Sequence, residues 1–265
     1  MTDILTLVFK TFMSESGLKK DPSVCPPSPA PCSALMVGDH RISRSLLLLA
    51  AVTAASERGL KVLFLAQTQI QSLPVFLQRC SPSLSPESLK KITFSYPRTL
   101  EELLQQVASL HESPAPPSLI IIDRLEGFLR GAAGHGHSGF HSGEQSCAAH
   151  VCALLCDTTA FLTQRGSSSA PSSFIASFLS DGDAGQDGKE SSTDPILDVL
   201  DRYFQVRCTL DQDRSYEAVA AAAQEAWHIY LSGRGLAESC EDGPSVAQEW
   251  KLFIFPDGLM EFKLV

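Results

Sequence analysis

The chain predicts an α/β fold, a mostly parallel central sheet flanked by helices with antiparallel strands at its C-terminal end. Three stretches carry that prediction. Residues 35–45 read Leu-Met-Val-Gly-Asp-His-Arg-Ile-Ser-Arg-Ser, an apolar strand entering a glycine turn ahead of a helix rich in Leu and Ala. Residues 119–123 read Leu-Ile-Ile-Ile-Asp, a continuous apolar run of the kind a strand buried on both faces requires. Near the end, Pro256-Asp257-Gly258 separates two short apolar runs, which is the signature of a tight turn between paired strands.

The elements follow in order. Thr2 to Met13 reads as a short amphipathic helix, and Ser14 to Pro31 holds five of the chain's 16 Pro and reads as a flexible linker. Residues 1–31 are therefore expected to be an N-terminal extension, with one domain over 32–265. Cys32 to Val37 is a short buried strand, Ser45 to Ser56 a helix that ends before Gly59, and Lys61 to Leu65 a second apolar strand. Pro82 to Lys91 is a loop. Lys91 to Tyr96 is a strand, and Thr99 caps a helix to His111 that carries Glu101 and Glu102 in its first turn. Pro-rich residues 113–117 lead into strand 118–123. A Gly-, Ser- and His-rich loop covers 131–146, followed by a helix to 165. A strand over 174–178 precedes a second loop, 180–193. Asp194 caps a helix that starts at Pro195 and runs to about Tyr203. Strands at 204–210, 226–231, 249–255 and 259–265 close the chain.

The first two stretches together suggest a nucleotide site. A phosphate-binding loop runs Gly, four residues, Gly, Lys, then Ser or Thr, between a strand and a helix. Its amides cradle phosphate oxygens at the helix N-terminus, the Lys reaches the outer phosphates and the hydroxyl binds Mg²⁺. Gly38 begins this motif at the right spacing, Ser43 stands where the second Gly belongs, Arg44 replaces the Lys, and Ser45 keeps the hydroxyl. Ser43 brings a Cβ where close backbone approach is needed. Arg44 keeps the charge on a wider planar fork. Asp123, at the carboxyl end of its strand, lies where ligands bind in open α/β sheets and would orient Mg²⁺ or its water. The candidate set is Gly38, Ser43, Arg44, Ser45 and Asp123 for ATP, with Ser45 and Asp123 on Mg²⁺. The alternatives are an ordinary βα turn at Gly38 and a turn carboxylate at Asp123.

Other groups are weaker candidates. His135, His137 and His141 could bind a metal, against the plainer reading of a surface loop. Cys147, His150, Cys152 and Cys156 lie on one helix, but their spacing matches no structural zinc pattern and free Cys commonly packs as a small hydrophobe. The eight Cys lack a disulfide-framework spacing, which favours a reducing, intracellular setting. No apolar run reaches the ~20 residues of a membrane span, and the N-terminus has no basic region of a signal peptide. The net charge of −9 argues against a broadly basic DNA-binding face, so any DNA contact comes from a local patch or from a basic partner.

Lys61-Val-Leu-Phe-Leu, Gln71-Ser-Leu-Pro, Lys91-Ile-Thr-Phe-Ser-Tyr-Pro and Ser118-Leu-Ile-Ile-Ile-Asp-Arg-Leu-Glu-Gly-Phe-Leu resemble the SWIM-domain-associated paralogues of the RecA-type recombinase. The resemblance covers roughly residues 33–210. It implies a RecA-like P-loop core and a nuclear role in homologous recombination and DNA repair, in complex with a SWIM zinc-finger protein. It also implies support of recombinase filaments on single-stranded DNA. The chain departs from the recombinase pattern in three places. The phosphate loop has Ser43 and Arg44. The second strand runs into Ala66-Gln67-Thr68-Gln69 with no carboxylate to activate water; a neutral side chain cannot take up the proton. The strand at 174–178 runs through Ser177 and Phe178 without the expected terminal sensor. These losses point to weak or absent hydrolysis and leave nucleotide binding open. The expected function is an adaptor with a degenerate ATP site; the alternative is a working ATPase stimulated by single-stranded DNA.

Overall fold

The computed structural model describes residues 4–13, 33–72, 74–79, 85–132, 141–165, 171–180, 194–213, 223–233 and 248–265. Nine strands form one sheet: β1 (Ser33–Val37), β2 (Val62–Ala66), β3 (Ile92–Ser95), β4 (Leu119–Asp123), β5 (Ser173–Phe178), β6 (Val206–Asp213), β7 (Glu225–Ser232), β8 (Gln248–Ile254) and β9 (Met260–Leu264). Their order is β3-β2-β4-β5-β1-β6-β7-β8-β9. Every pair from β3 to β6 is parallel, and β6 through β9 pair antiparallel. The mostly parallel sheet with an antiparallel C-terminal flank is therefore as the apolar runs predicted.

β1, β2, β4 and β5 send alternate side chains to two cores, following the two-residue period of extended backbone. On one face Ala34, Met36, Phe64, Ile121, Ile175 and Trp227 pack under α1 (Ile4–Thr11) and α2 (His40–Glu57). On the other, Leu35, Leu65, Ile122 and Ala176 pack under α5 (Leu100–Ser109), α6 (Leu125–Ala132), α7 (His141–Arg165) and α8 (Pro195–Tyr203). The two short helices α3 (Val75–Arg79) and α4 (Pro86–Leu89) lie between β2 and β3, so the expected 82–91 loop carries a helical turn.

The N-terminal helix is not outside the domain. Leu5, Val8 and Phe9 of α1 are fully buried. The Phe9 ring lies 5.6 Å from Trp250 and 5.1 Å from Phe262, centroid to centroid, and Met13 bridges Phe262. A domain boundary at residue 32 leaves this helix out because its partners stand more than 200 residues downstream, where no local pattern reveals them. The linker expected over 14–31 lies outside the described residues.

Two helix starts also differ from expectation. α2 begins at His40, five residues before Ser45, because Asp39 caps it: its Oδ1 accepts from the amides of Arg41 at 2.9 Å and Ile42 at 3.2 Å. α7 begins at His141 and α6 ends at Ala132, which shortens the loop expected over 131–146. His135, His137 and nearly all of the 180–193 loop fall outside the described residues. At Asp194 expectation and structure agree: Oδ1 accepts from Ile196 N at 2.9 Å, with Pro195 as the first helical residue.

Gly143–Arg165 within α7 is long and apolar enough to cross a membrane by length and composition. It is a layer of the core here, with Ala148, Val151, Cys152, Leu155 and Leu162 buried. Burial pushes the Cys152 thiol up to about 12, which fits a packed sulfur.

Candidate functional site

The carboxyl ends of β1, β2, β4 and β5 converge on one edge of the sheet, and Gly38, Arg44 and Asp123 meet there. Gly38 follows β1 with φ +140°. A Cβ at this position would lie 2.7 Å from the Leu210 carbonyl oxygen and 2.8 Å from Leu210 Cβ. Glycine is required by the close approach of β6 as well as by the backbone angle.

Only Gly38 and Asp39 separate β1 from α2. The backbone from His40 onward is helical, so the segment expected to form an open phosphate loop is the first turn of α2. Two of its free amides are engaged by the cap, Asp39 Oδ1 taking Arg41 N and Ile42 N, and the Asp39 carbonyl accepts the first intrahelical bond from Ser43 N at 2.9 Å. A carboxylate thus occupies the positive end of the helix, where a phosphate would find its charge complement.

The two cations of this turn are also committed. Arg41 grips Glu225 on β7 with two bonds, Nη1 to Oε1 at 3.1 Å and Nη2 to Oε2 at 3.0 Å. Arg44 Nε donates to Asp123 Oδ2 at 2.7 Å, and its Nη2 donates to Thr68 Oγ1 at 3.0 Å. The Asp123 side chain is wholly buried, whereas that of Arg44 is 29% exposed. The other oxygen of Asp123 accepts from Ser177 Oγ at 3.3 Å, and Ser177 Oγ accepts from Arg124 N at 2.8 Å. Burial pushes the Asp123 carboxyl above the usual carboxylate range, and the Arg44 charge, followed by hydrogen bonds from Arg44 and Ser177, pulls it back only in part.

Ser45 lines a cavity of about 460 Å³ together with Arg41, Arg44 and Thr68. Ser45 Oγ donates to the Arg41 carbonyl at 2.9 Å, a back-bond within its own helix. Ser43 is buried on α2 and its hydroxyl lacks a hydrogen-bond partner. In this structure the amides of Arg41 and Ile42 bond to Asp39 and the Arg44 guanidinium bonds to Asp123, beside that same cavity.

Several residues of the site escaped sequence reasoning. Asp39 was legible as an N-cap Asp before a Leu-rich helix. Ser177 is the polar residue that β5 contributes, one position earlier than the strand end where a sensor was sought. Arg124 adopts φ +62°, a left-handed conformation rare for a non-glycine residue. Its Nε binds Glu126 Oε1 at 3.2 Å, and Glu126 Oε2 accepts from Leu179 N at 3.2 Å. Gln67, after β2, donates to the Arg98 carbonyl at 3.4 Å. Its Oε1 lies 2.3 Å from where a Cβ on Gly127 would be, so Gly127 makes room for it.

No family model matches the chain. Among solved structures it resembles a KaiC-like protein from Pyrococcus horikoshii (TM-score 0.53, 10% identity, 88% of this chain and 89% of that one). It also resembles the RadB recombinase (TM-score 0.52, 14% identity, 87% and 90%). At such identities the likeness establishes the RecA/KaiC-type fold alone. Among curated proteins it is 35% identical to mouse ATPase SWSAP1 over 183 residues, 68% of this chain and 58% of that protein. It is 34% identical to human ATPase SWSAP1 over 171 residues, 64% of this chain and 66% of that protein. The chain thus spans somewhat under two thirds of the length of these relatives. With a RecA-type sheet and this sequence likeness, the chain belongs to the family of RecA-like paralogues that includes the mammalian proteins named ATPase SWSAP1.

Proposed function

We propose that this protein is a recombinase-paralogue adaptor of homologous recombination DNA repair whose ATP site is degenerate. It works in the nucleus, pairs with a SWIM zinc-finger protein and supports RecA-type recombinase filaments on single-stranded DNA. The single observation that carries the degenerate-site part is the Arg44–Asp123 bond at 2.7 Å. The guanidinium sits on the carboxylate that would serve Mg²⁺, inside a helix turn already capped by Asp39. A RecA-type core that does not turn over nucleotide still offers the rigid sheet and edges on which partners assemble. Family membership supports the recombination setting, and the resemblance supports the SWIM partner. With a net charge of −9, DNA is engaged chiefly through the complex.

The competing reading is an ATPase stimulated by single-stranded DNA, which has the relatives' printed name in its favour. One experiment separates the two. The full chain is co-expressed with a SWIM zinc-finger protein and a RecA-type recombinase, and the purified assembly is assayed for phosphate release with and without single-stranded DNA. Co-elution with background hydrolysis is expected. Failure to co-elute would overturn the adaptor. DNA-stimulated release that disappears in both Asp123→Ala and Asp123→Asn would establish the ATPase.

A further inference from the structure

At the opposite end of the same strands lies a cavity of about 290 Å³ lined by Lys61, Lys90 and Lys91 over a floor of Val62, Leu63, Leu110 and Pro117. β2 runs five residues from this cavity to the Arg44–Asp123 edge, so the two places stand roughly 13 Å or more apart at about 3.3 Å per residue. The lysines stand on backbone that is pinned by neighbouring segments. Lys61 O accepts from Ser118 N at 2.9 Å, Lys91 O from Val62 N at 2.9 Å, and Lys91 N donates to Ser88 O at 3.1 Å.

In a chain of net charge −9, Lys61, Lys90 and Lys91 all line this cavity, and no carboxylate is ion-paired to any of them among the described residues. Glu112, beside the lining residue Ser113, is turned to His111 at 3.5 Å. None of the residues lining the cavity is acidic. Lysine binds phosphate as a compact point charge, whereas planar carboxylates favour the arginine fork. The lining holds three Lys and no Arg. Thr93 and Ser113 add hydroxyls to the wall. The volume sits at the small end of ligand cavities, enough for one nucleotide-sized body on the apolar floor.

We propose that this cavity is a binding site for a phosphate-bearing ligand of nucleotide size, separate from the α2 edge and independent of Mg²⁺. The phosphate can belong to a free nucleotide or to one nucleotide unit of a single strand.

The test uses the full chain, titrated without Mg²⁺ by calorimetry with inorganic pyrophosphate, with AMP and with a 5′-phosphorylated oligothymidylate. The proteins are wild type, Lys61→Gln/Lys91→Gln and Arg44→Ala, each checked for native circular dichroism; Lys61→Gln alone is the milder variant if the double one fails to fold. Saturable pyrophosphate binding is expected. Losing charge-assisted contacts should weaken it about tenfold or more in the lysine double variant, with Arg44→Ala unchanged. Tighter binding of AMP than of the oligonucleotide assigns a free nucleotide; the reverse assigns a strand. Absence of binding to all three probes overturns the site. So does binding that Arg44→Ala abolishes, or that survives removal of the lysines. These readouts involve neither partner co-elution nor ATP turnover, so failure here leaves the adaptor reading untouched, and the converse holds.

Discussion

Arg44 and Asp123, separated by 79 positions in the chain, are joined by a 2.7 Å bond that ties the first turn of α2 to the end of β4. β5 lies between β1 and β4 in the sheet, so this bond spans the carboxyl end of β5. Thr68 and Ser177 complete the ring around the two charges.

Removing one partner leaves the other exposed to the full cost of burial. Arg44→Ala strands a wholly buried carboxylate. Because Arg44 is itself partly exposed, the expected loss is about 2 kcal/mol at neutral pH, below the range for a fully buried pair. Adding Asp123→Asn to Arg44→Ala should recover most of it, as a neutral amide is cheaper to bury. Urea denaturation of the two single variants and the double closes the cycle; strict additivity of the two losses would contradict the pairing.

The Asp123 carboxyl has a native value raised by burial, so the folded state holds that proton more tightly than the unfolded chain. Its contribution to stability is greatest below the unfolded carboxylate value of about 3.9 and declines as pH rises through the native value. In Asp123→Asn this decline is absent. The stability of the variant relative to wild type should therefore rise with pH across the acid range and then level. A difference that stays flat from acid to neutral pH would show that Asp123 is not held in this way.

Gly38 is set by packing against Leu210. Gly38→Ala forces a Cβ to within 2.8 Å of two Leu210 atoms at φ +140°. Strain of this kind together with overpacking costs on the order of 2–4 kcal/mol. Thermal denaturation should show a fall in Tm of about 5 °C or more. A near-neutral Gly38→Ala would mean that the β1–α2 turn stands farther from β6.

The N-terminal helix should behave as core. Phe9→Ala removes a ring enclosed by Trp250 and Phe262, and large-to-small changes of this type cost about 3–5 kcal/mol. A chain starting after Met13 should lose comparable stability. A truncated chain as stable as the intact one would place α1 outside the domain after all.

The sheet was legible because its strands are short apolar runs between glycine, proline and serine punctuation, and their number and class follow from that alone. Asp194 with Pro195, and Thr99 with Glu102, announced their helices for equally local reasons. The site was legible as a set of places. Gly38, Arg44 and Asp123 do come together at the carboxyl edge of the sheet. What local pattern hides is commitment: whether the α2 amides face outward or onto Asp39, and whether Arg44 reaches a ligand or Asp123, depends on geometry across residues far apart in the chain. The core position of α1 was hidden in the same manner. Its amphipathic period showed that it needed a partner, and the partner lay in the final hairpin.

The most direct test of the account is an equilibrium titration of the purified full chain with ATP in the presence and absence of Mg²⁺, with Asp123→Asn and Arg44→Ala in parallel. The account predicts that wild type shows no Mg²⁺-dependent binding and that neither substitution removes any binding observed. Saturable binding that requires Mg²⁺ and is lost in Asp123→Asn would contradict it, because the carboxylate would then be free to serve the metal.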